Sequence, residues 1–405
     1  VIKAQENSEL VTVVLAMTGT GLAVARAVST LGPVIAIDAE RSRPGLYSRH
    51  VVRHPQLTHR ALDAALVEPL IEFARQQKRP VVVVPAADDA CEWLADHREA
   101  LAGHVRFSAG YSPERSGLLL DKWAFGDRCR ELGIDVPLTY MPQTLDDVRS
   151  FAQQIGLPCI VKPRAGHLWR NRLSGQKLLV PETMEELLSA METIVGDPKA
   201  VVLQELVAGP ERNLGVAAAW VGQDGALRHL LTARKIRQFP RQFGSGSRVV
   251  TEALPEVARL SAEVLQRLDY RGVCGTEYKY DLRHQRWRLI EINPRPTLWY
   301  DLCRAAGSDL LAAHVRELAG LEPGSVSPQR QGVAWEYGLR DAVALGQSGG
   351  AAALWRALRA EGLPHTDAVM ALDDPGATAA AAAHFVGQAL SHLRPRLAKR
   401  RPPSA

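Results

Sequence analysis

Hydrophobic and polar positions divide the chain into regions of different period. Val11–Met17 (VTVVLAM) and Pro80–Val84 (PVVVV) are continuous apolar runs, the pattern of parallel strands buried on both faces. A helical stretch Leu22–Leu31, a second strand Pro33–Ile37 and a helical segment Ala61–Gln77 lie between them. Strands alternating with helices over residues 10–115 predict a small parallel, Rossmann-like α/β domain. From Leu120 the pattern changes. Asp121–Leu132 is amphipathic and stops at Gly133, with Pro137 beyond. Short strands are expected at Pro158–Pro163, Leu178–Pro181, Val201–Val207, Leu214–Val221 and Leu227–Ala233, and helices at Glu182–Ile194 and Pro255–Leu268. Arg234–Arg248 (RKIRQFPRQFGSGSR) reads as a loop rich in Arg, Lys and Gly. Helices follow at Tyr300–Ala306 and Asp309–Leu318. A Pro/Gly/Ser linker, Leu321–Arg330, leads to one more strand near Gly332–Tyr337 and to Ala-rich helices near 350–361 and 376–392. The expected divisions are 1–118, 119–320 and a small α-rich extension, 321–405. No internal repeat is found.

Gly272–Arg295 (GVCGTEYKYDLRHQRWRLIEINPR) carries the densest chemistry. Val273–Leu282 and Trp287–Ile292 alternate as strands, and Arg283-His284-Gln285 can turn between them. A three-residue turn sets Glu277 opposite Glu291. Period two then puts Asn293 on the face of Glu291. Facing carboxylates destabilise a hairpin unless a positive charge lies between them. Two carboxylates and an amide form an all-oxygen set, suited to Mg²⁺ rather than zinc or copper. An exposed acidic hairpin face is the competing reading, and a one-residue slip would undo the pairing.

The 405 residues are 46% hydrophobic, enough for two or three domains with cores. The net charge of +5 is dispersed, apart from the basic tail Arg394–Arg401. Nothing in it requires nucleic acid, and a basic protein handling anionic nucleotides or carboxylates is consistent with it. Five scattered cysteines form no CxxC, which argues against a disulfide framework or zinc site and for a reducing, cytoplasmic setting. No apolar run reaches membrane-spanning length, and Val11–Met17 is too short for a signal-peptide core. Thr18-Gly19-Thr20-Gly21 lies at the first strand–helix turn, with Asp38 ending the second strand. A dinucleotide site there would use Asp38 on a ribose, but the third glycine is missing and Ala25 replaces it only in part. Tight strand-to-helix packing is the plainer reading. Asp88-Asp89 follow the third strand, where ligands of such sheets bind. They fit a substrate contact, or the first turn of a helix.

Between 120 and 296 several features converge. Lys122 and Lys162 are isolated cations, the second on an apolar strand where burial demands an anion. Gly166–Lys177 is a Gly-bearing stretch. Gln204–Val207 is a strand end whose backbone can meet a base edge, and Glu211 lies seven residues past Gln204. With the Gly244–Ser247 turn and the acidic hairpin, these suit Mg-nucleotide handling. This order of motifs resembles the ATP-grasp superfamily, over roughly Asp121–Arg295, most nearly its D-aspartate ligase and biotin carboxylase-like branch. The resemblance implies an α/β and α+β architecture, an N-terminal α/β domain followed by a two-subdomain ATP-grasp fold. It gives Lys122 and Lys162 to the nucleotide phosphates and Gly166–Gly175 to a mobile flap. By the same resemblance Gln204, Glu205 and Val207 would read adenine, and Glu211 would take the ribose. Glu277, Glu291 and Asn293 would hold one or two Mg²⁺, or Mn²⁺. Arg295 would stabilise the transferring phosphoryl group, with Lys235 and Arg237 in a loop near phosphates and acceptor. The bulky His167, Leu168 and Trp169 depart from the glycine-rich flap of the family.

The implied reaction is ATP-dependent: a carboxylate becomes an acyl phosphate, and an amine displaces phosphate to give an amide. The expected partners are a small carboxylate and an amine, with neither nucleic acid nor membrane, and a homodimer is compatible. Arg170, Arg172, Arg241 and Arg248 could clamp an acidic substrate or could be solvated. The alternatives are a carboxylase-type enzyme activating bicarbonate, a nicotinamide enzyme built on the Gly-rich turn, and an ATP-binding regulator without turnover.

Overall fold

The computed structural model describes residues 8–164, 178–362 and 364–398. Strands β1 (Val11–Leu15), β2 (Val34–Ile37) and β3 (Val81–Pro85) form a parallel sheet in the order β2-β1-β3. Every residue of the three is buried, which is why they lack a polar alternation. The Gly-rich turn after β1 enters the helix Gly19–Val28. A Cβ on Gly21 would stand 2.2 Å from the Ala16 carbonyl oxygen, so this glycine serves close strand–helix packing. Asp38 accepts from the backbone N–H of Met17 at 2.7 Å and of Glu40 at 2.9 Å. Its carboxylate braces the turn.

A second sheet, order β4-β6-β5, contains β4 (Thr139–Tyr140), β5 (Cys159–Pro163) and β6 (Val201–Glu205), all antiparallel. The helices Leu145–Ile155 and Met184–Ala190 cover it through Val148, Phe151 and Leu187. The Thr144–Asp147 capping box fixes where the first of these begins.

The third sheet has seven strands: β7 (Leu214–Val221), β8 (Leu227–Phe239), β9 (Ser245–Thr251), β10 (Gly272–Asp281), β11 (Arg286–Asn293), β12 (Ala334–Glu336) and β13 (Thr366–Asp367). They run in the order β11-β10-β7-β8-β9-β12-β13. Helix Pro255–Arg267 packs on one face against Ala217, Ala219 and Cys274. The other face, through Val216, Ala218 and Trp220, shares a core with helices Asp301–Ala305 and Leu310–Leu318 and with Leu22 and Val24 of helix Gly19–Val28. The stretch expected as a loop, Arg234–Arg248, is mostly strand: Arg234–Phe239 ends β8, and Ser245–Arg248 begins β9. Its charges do not mark a loop, because carboxylates pair with several of them, and Lys235 and Arg248 are buried. Arg234 meets Glu252, Lys235 meets Glu277, and Arg248 meets Glu336 and Glu361.

The segment after Leu321 extends this sheet. β12 pairs antiparallel with β9 and parallel with β13. Helix Gly338–Glu361 breaks at Gly349–Gly350, where Gly350 has φ 61°, a backbone suited to glycine. Arg26 of the first helix donates to the carbonyls of Asp367, Ala368 and Val369 and faces buried Asp374 at 3.8 Å. The two ends of the described chain are thereby joined.

Candidate active site

The site is built on the β10–β11 hairpin. Glu277 pairs with Glu291, Thr276 with Ile292 and Gly275 with Asn293. That register agrees with the one read from the sequence, but it arises differently. Asp281 pairs with Arg286, so Leu282–Gln285 is a four-residue turn, and a bulge between Glu277 and Tyr278 leaves Ile290 without a partner. The longer turn shifts the pairing by one residue and the bulge shifts it back. Such bulges recur where a side chain must be re-aimed. Here Ile290 and Glu291 both line one cleft, while Leu289 and Ile292 stay in the core.

That cleft, of about 1230 Å³, lies between the second and third sheets and reaches the ends of β1 and β3 at Thr18–Thr20 and Asp88. Lys235, 3% exposed, places its Nζ 2.5 Å from Glu277 Oε2 and supplies the positive charge the facing carboxylates need. Asn293 donates from Nδ2 to Glu291 Oε1 at 3.0 Å. The carboxylates of Glu277 and Glu291 with the Asn293 carbonyl form an oxygen-only donor set at the cleft wall. Its chemistry fits Mg²⁺ or Mn²⁺. A second acidic group, Glu205, Asp281 and His284, does not: Arg288 lies among it, 2.9 Å from Glu205 and 3.4 Å from Asp281.

Lys122 and Lys162 also line the cleft. Lys162 Nζ donates to Gln204 Oε1 at 2.8 Å, and Gln204 Nε2 donates to the Thr139 hydroxyl at 2.7 Å. Loss of water, then the charge of Lys122, pulls the Lys162 ammonium down to about 8 against the pull of Glu291 and Glu277. Lys122 occupies the first position of helix Lys122–Glu131, where the helix dipole disfavours a cation. Two cations so placed make this part of the cleft attractive to an anion. Val207 lies on the wall beyond β6, and Glu211 accepts from the backbone N–H of Gln242 at 2.5 Å. Glu205 also borders the cleft, but its side chain is committed to the Leu138 N–H at 3.1 Å and to Arg288.

Arg295 faces the cleft from the end of the hairpin. Its Nε and Nη2 both stand 2.7 Å from Asp88 Oδ1, at the start of helix Asp88–Asp96. Arg237 is different. It does not line the cleft; Asp341 and Glu361 of helix Gly338–Glu361 hold its guanidinium. Arg248, a candidate substrate clamp, is 3% exposed and paired with Glu336 and Glu361, which removes it from that role. Arg241 lines the cleft. The expected flap, Gly166–Gly175, lies outside the described residues, with Arg170 and Arg172.

Sequence reasoning missed several wall residues. Arg43, Tyr337, Arg340 and His384 close the end of the cleft beside Thr18–Thr20. The Arg340 guanidinium stacks 4.3 Å over the Tyr337 ring, and among the described residues it has no ion pair. Local sequence carried no signal for them, because their neighbours come from the other end of the chain.

Comparison with known proteins agrees with this architecture. No family model matches the chain. D-aspartate ligase from Enterococcus faecium is 22% identical over 250 residues, 58% of each protein. The chain therefore spans little more than half of that relative. Carboxyaminoimidazole ribonucleotide synthase from Aspergillus clavatus, crystallised with ATP, superposes with a TM-score of 0.61 at 17% identity, over 80% of both chains. The biotin carboxylase domain of Hydrogenobacter thermophilus 2-oxoglutarate carboxylase, crystallised with MgADP and bicarbonate, gives 0.59 at 15% identity, over 80% of this chain and 73% of that one. The chain shares the fold of these solved structures, and its sequence is similar to that of D-aspartate ligase. The expected mixed architecture is present: a parallel N-terminal sheet, an antiparallel three-stranded sheet and a seven-stranded sheet that is antiparallel except for its β12–β13 pair. Among the described residues no helix is long and apolar enough to cross a membrane.

Proposed function

We propose that the chain activates a carboxylate with ATP and joins it to an amine. The observation that carries this reading is the cleft itself. An oxygen-donor face of Glu277, Glu291 and Asn293 stands in one cavity with Lys122, Lys162, Lys235 and Arg295. A polyanion with its divalent cation suits such a set. Apolar Ile160, Val180, Val207 and Ile290 line the same cavity and suit a purine, with Gln204 and the backbone beyond it at the base edge and Glu211 at the ribose.

In this reading a substrate carboxylate oxygen attacks the γ-phosphorus. The bond to the bridging oxygen breaks, and ADP leaves with the electron pair. The amine then attacks the acyl carbon, phosphate departs, and the amine loses its proton. Phosphoryl transfer needs positioning and charge neutralisation more than covalent help. Lys162 and Lys122 hold the phosphates, and Arg295 and Lys235 face the equatorial oxygens. Glu277, Glu291 and Asn293 would hold Mg²⁺, which would supply charge neutralisation. Arg340, Arg241 and the uncapped helix start at Thr18–Thr20 make the substrate end of the cleft attractive to an anion, which supports an acid carrying a second negative group.

The test is phosphate release from Mg-ATP with amino acids and small carboxylates, singly and in pairs, and a Glu291→Gln control. Release that needs an acid–amine pair and disappears in the control is expected. Stimulation by bicarbonate alone would assign carboxylase chemistry instead. Failure to bind ATP would overturn the reading.

A further inference from the structure

We infer that Asp88 is a positioning residue for Arg295, so that the first domain orients the arginine of the phosphoryl-transfer site. This rests on the reading above and adds a group to it. An arginine side chain ending at a cleft has several rotatable bonds and a delocalised head, so it aims its charge only if something holds the fork. Asp88 holds it from the side, with Nε and Nη2 both 2.7 Å from Oδ1. Nη1 donates to the carbonyl of Pro296 at 3.1 Å. These contacts engage all three guanidinium nitrogens and fix the plane of the group at the cleft that both residues line.

The placement of Asp88 is itself fixed. It opens the first turn of helix Asp88–Asp96, whose Ala90, Cys91 and Leu94 are buried in the first domain's core, and the Cys91 thiol approaches the Pro294 carbonyl at 3.9 Å. The partners are 207 residues apart in sequence. Their contact crosses from the parallel domain to the hairpin, so the aim of Arg295 depends on how these two units are docked. The pair is partly buried, with side chains 15% and 31% exposed, where screening by water is incomplete.

The experiment is a double-mutant cycle with Asp88→Asn and Arg295→Ala in the full chain, with two readouts. One is MgADP affinity by calorimetry, and the other is the rate of phosphate release from Mg-ATP. Asp88→Asn keeps the shape and removes the charge. The expected result is a rate lower by about 10–100-fold, the range for removing a group that orients a functional one. MgADP affinity should stay within about threefold, and the double variant should be no slower than Arg295→Ala alone. Asp88→Glu, which keeps the charge, should recover part of the rate. If Asp88→Asn still costs its full factor in the Arg295→Ala background, Asp88 acts independently and the assignment is overturned. An equal loss of MgADP affinity and rate would overturn it too, by marking a structural role. The wild-type rate and affinity report separately on the ligase reading.

Discussion

At the scale of single residues, charge in the cleft should govern nucleotide affinity. In the free protein Lys162 releases its proton near pH 8, against an ordinary value of 10.5. A bound phosphate favours the ammonium and pushes that value up again. Below about pH 8 the group is charged with or without ligand, so affinity should be flat. Above it, binding takes up a proton, and MgADP affinity should fall by up to about tenfold per pH unit. The empty protein follows the opposite sign. Its unfolded chain keeps the Lys162 proton more tightly, so stability should rise with pH between about 8 and 10.5. Calorimetry across that range checks the first claim, and Lys162→Arg should flatten the profile. Arg340→Gln should raise KM for the acid by about tenfold or more, as loss of a charge-assisted contact does, and leave MgADP affinity unchanged. Equal effects on both ligands would remove Arg340 from the substrate end.

At the scale of elements, the hairpin bulge should matter more than its size suggests. By leaving Ile290 unpaired, it brings an apolar side chain and a carboxylate to the same wall. Ile290→Ala should weaken MgADP by roughly 5–30-fold, since burying such a side chain contributes about 1–2 kcal/mol, and leave the metal dependence intact. A titration of rate against Mg²⁺ checks the second part. The element scale is also where the sequence was most legible. Continuous apolar runs marked β1 and β3, and alternation marked β10 and β11, because burial on two faces or one leaves those periods. The facing of Glu277 and Glu291 came out of the pattern even though neither the fourth turn residue nor the bulge did, for their shifts cancel. Arg234–Arg248 was misread because composition reports charge but not pairing. The partners that hold Arg237, Asp341 and Glu361, lie more than a hundred residues downstream. Asp88 was equally obscure: beside β3 it reads as a first-turn acid, and only the fold brings it to Arg295.

At the scale of the whole molecule, Arg26 ties the first helix to the last strand region. The pair it makes with Asp374 is buried, and removing one member of a buried pair costs about 3–5 kcal/mol. Arg26→Ala should lower stability by that order in urea unfolding and expose residues 364–398 to limited proteolysis. Substrate KM should rise with it, because Val369 and His384 belong to the cleft wall. A proteolysis pattern unchanged from wild type would contradict this. The same tie bears on how the protein comes into being. The strands of the oxygen-donor face leave the ribosome well before Tyr337, Arg340 and His384, and Arg26 waits for its partners through some 340 residues of synthesis. A nascent chain therefore holds its oxygen-donor face while the far wall of the cleft is still untranslated, and on the proposed function substrate binding is expected to wait for helix Pro375–Ala398 to dock.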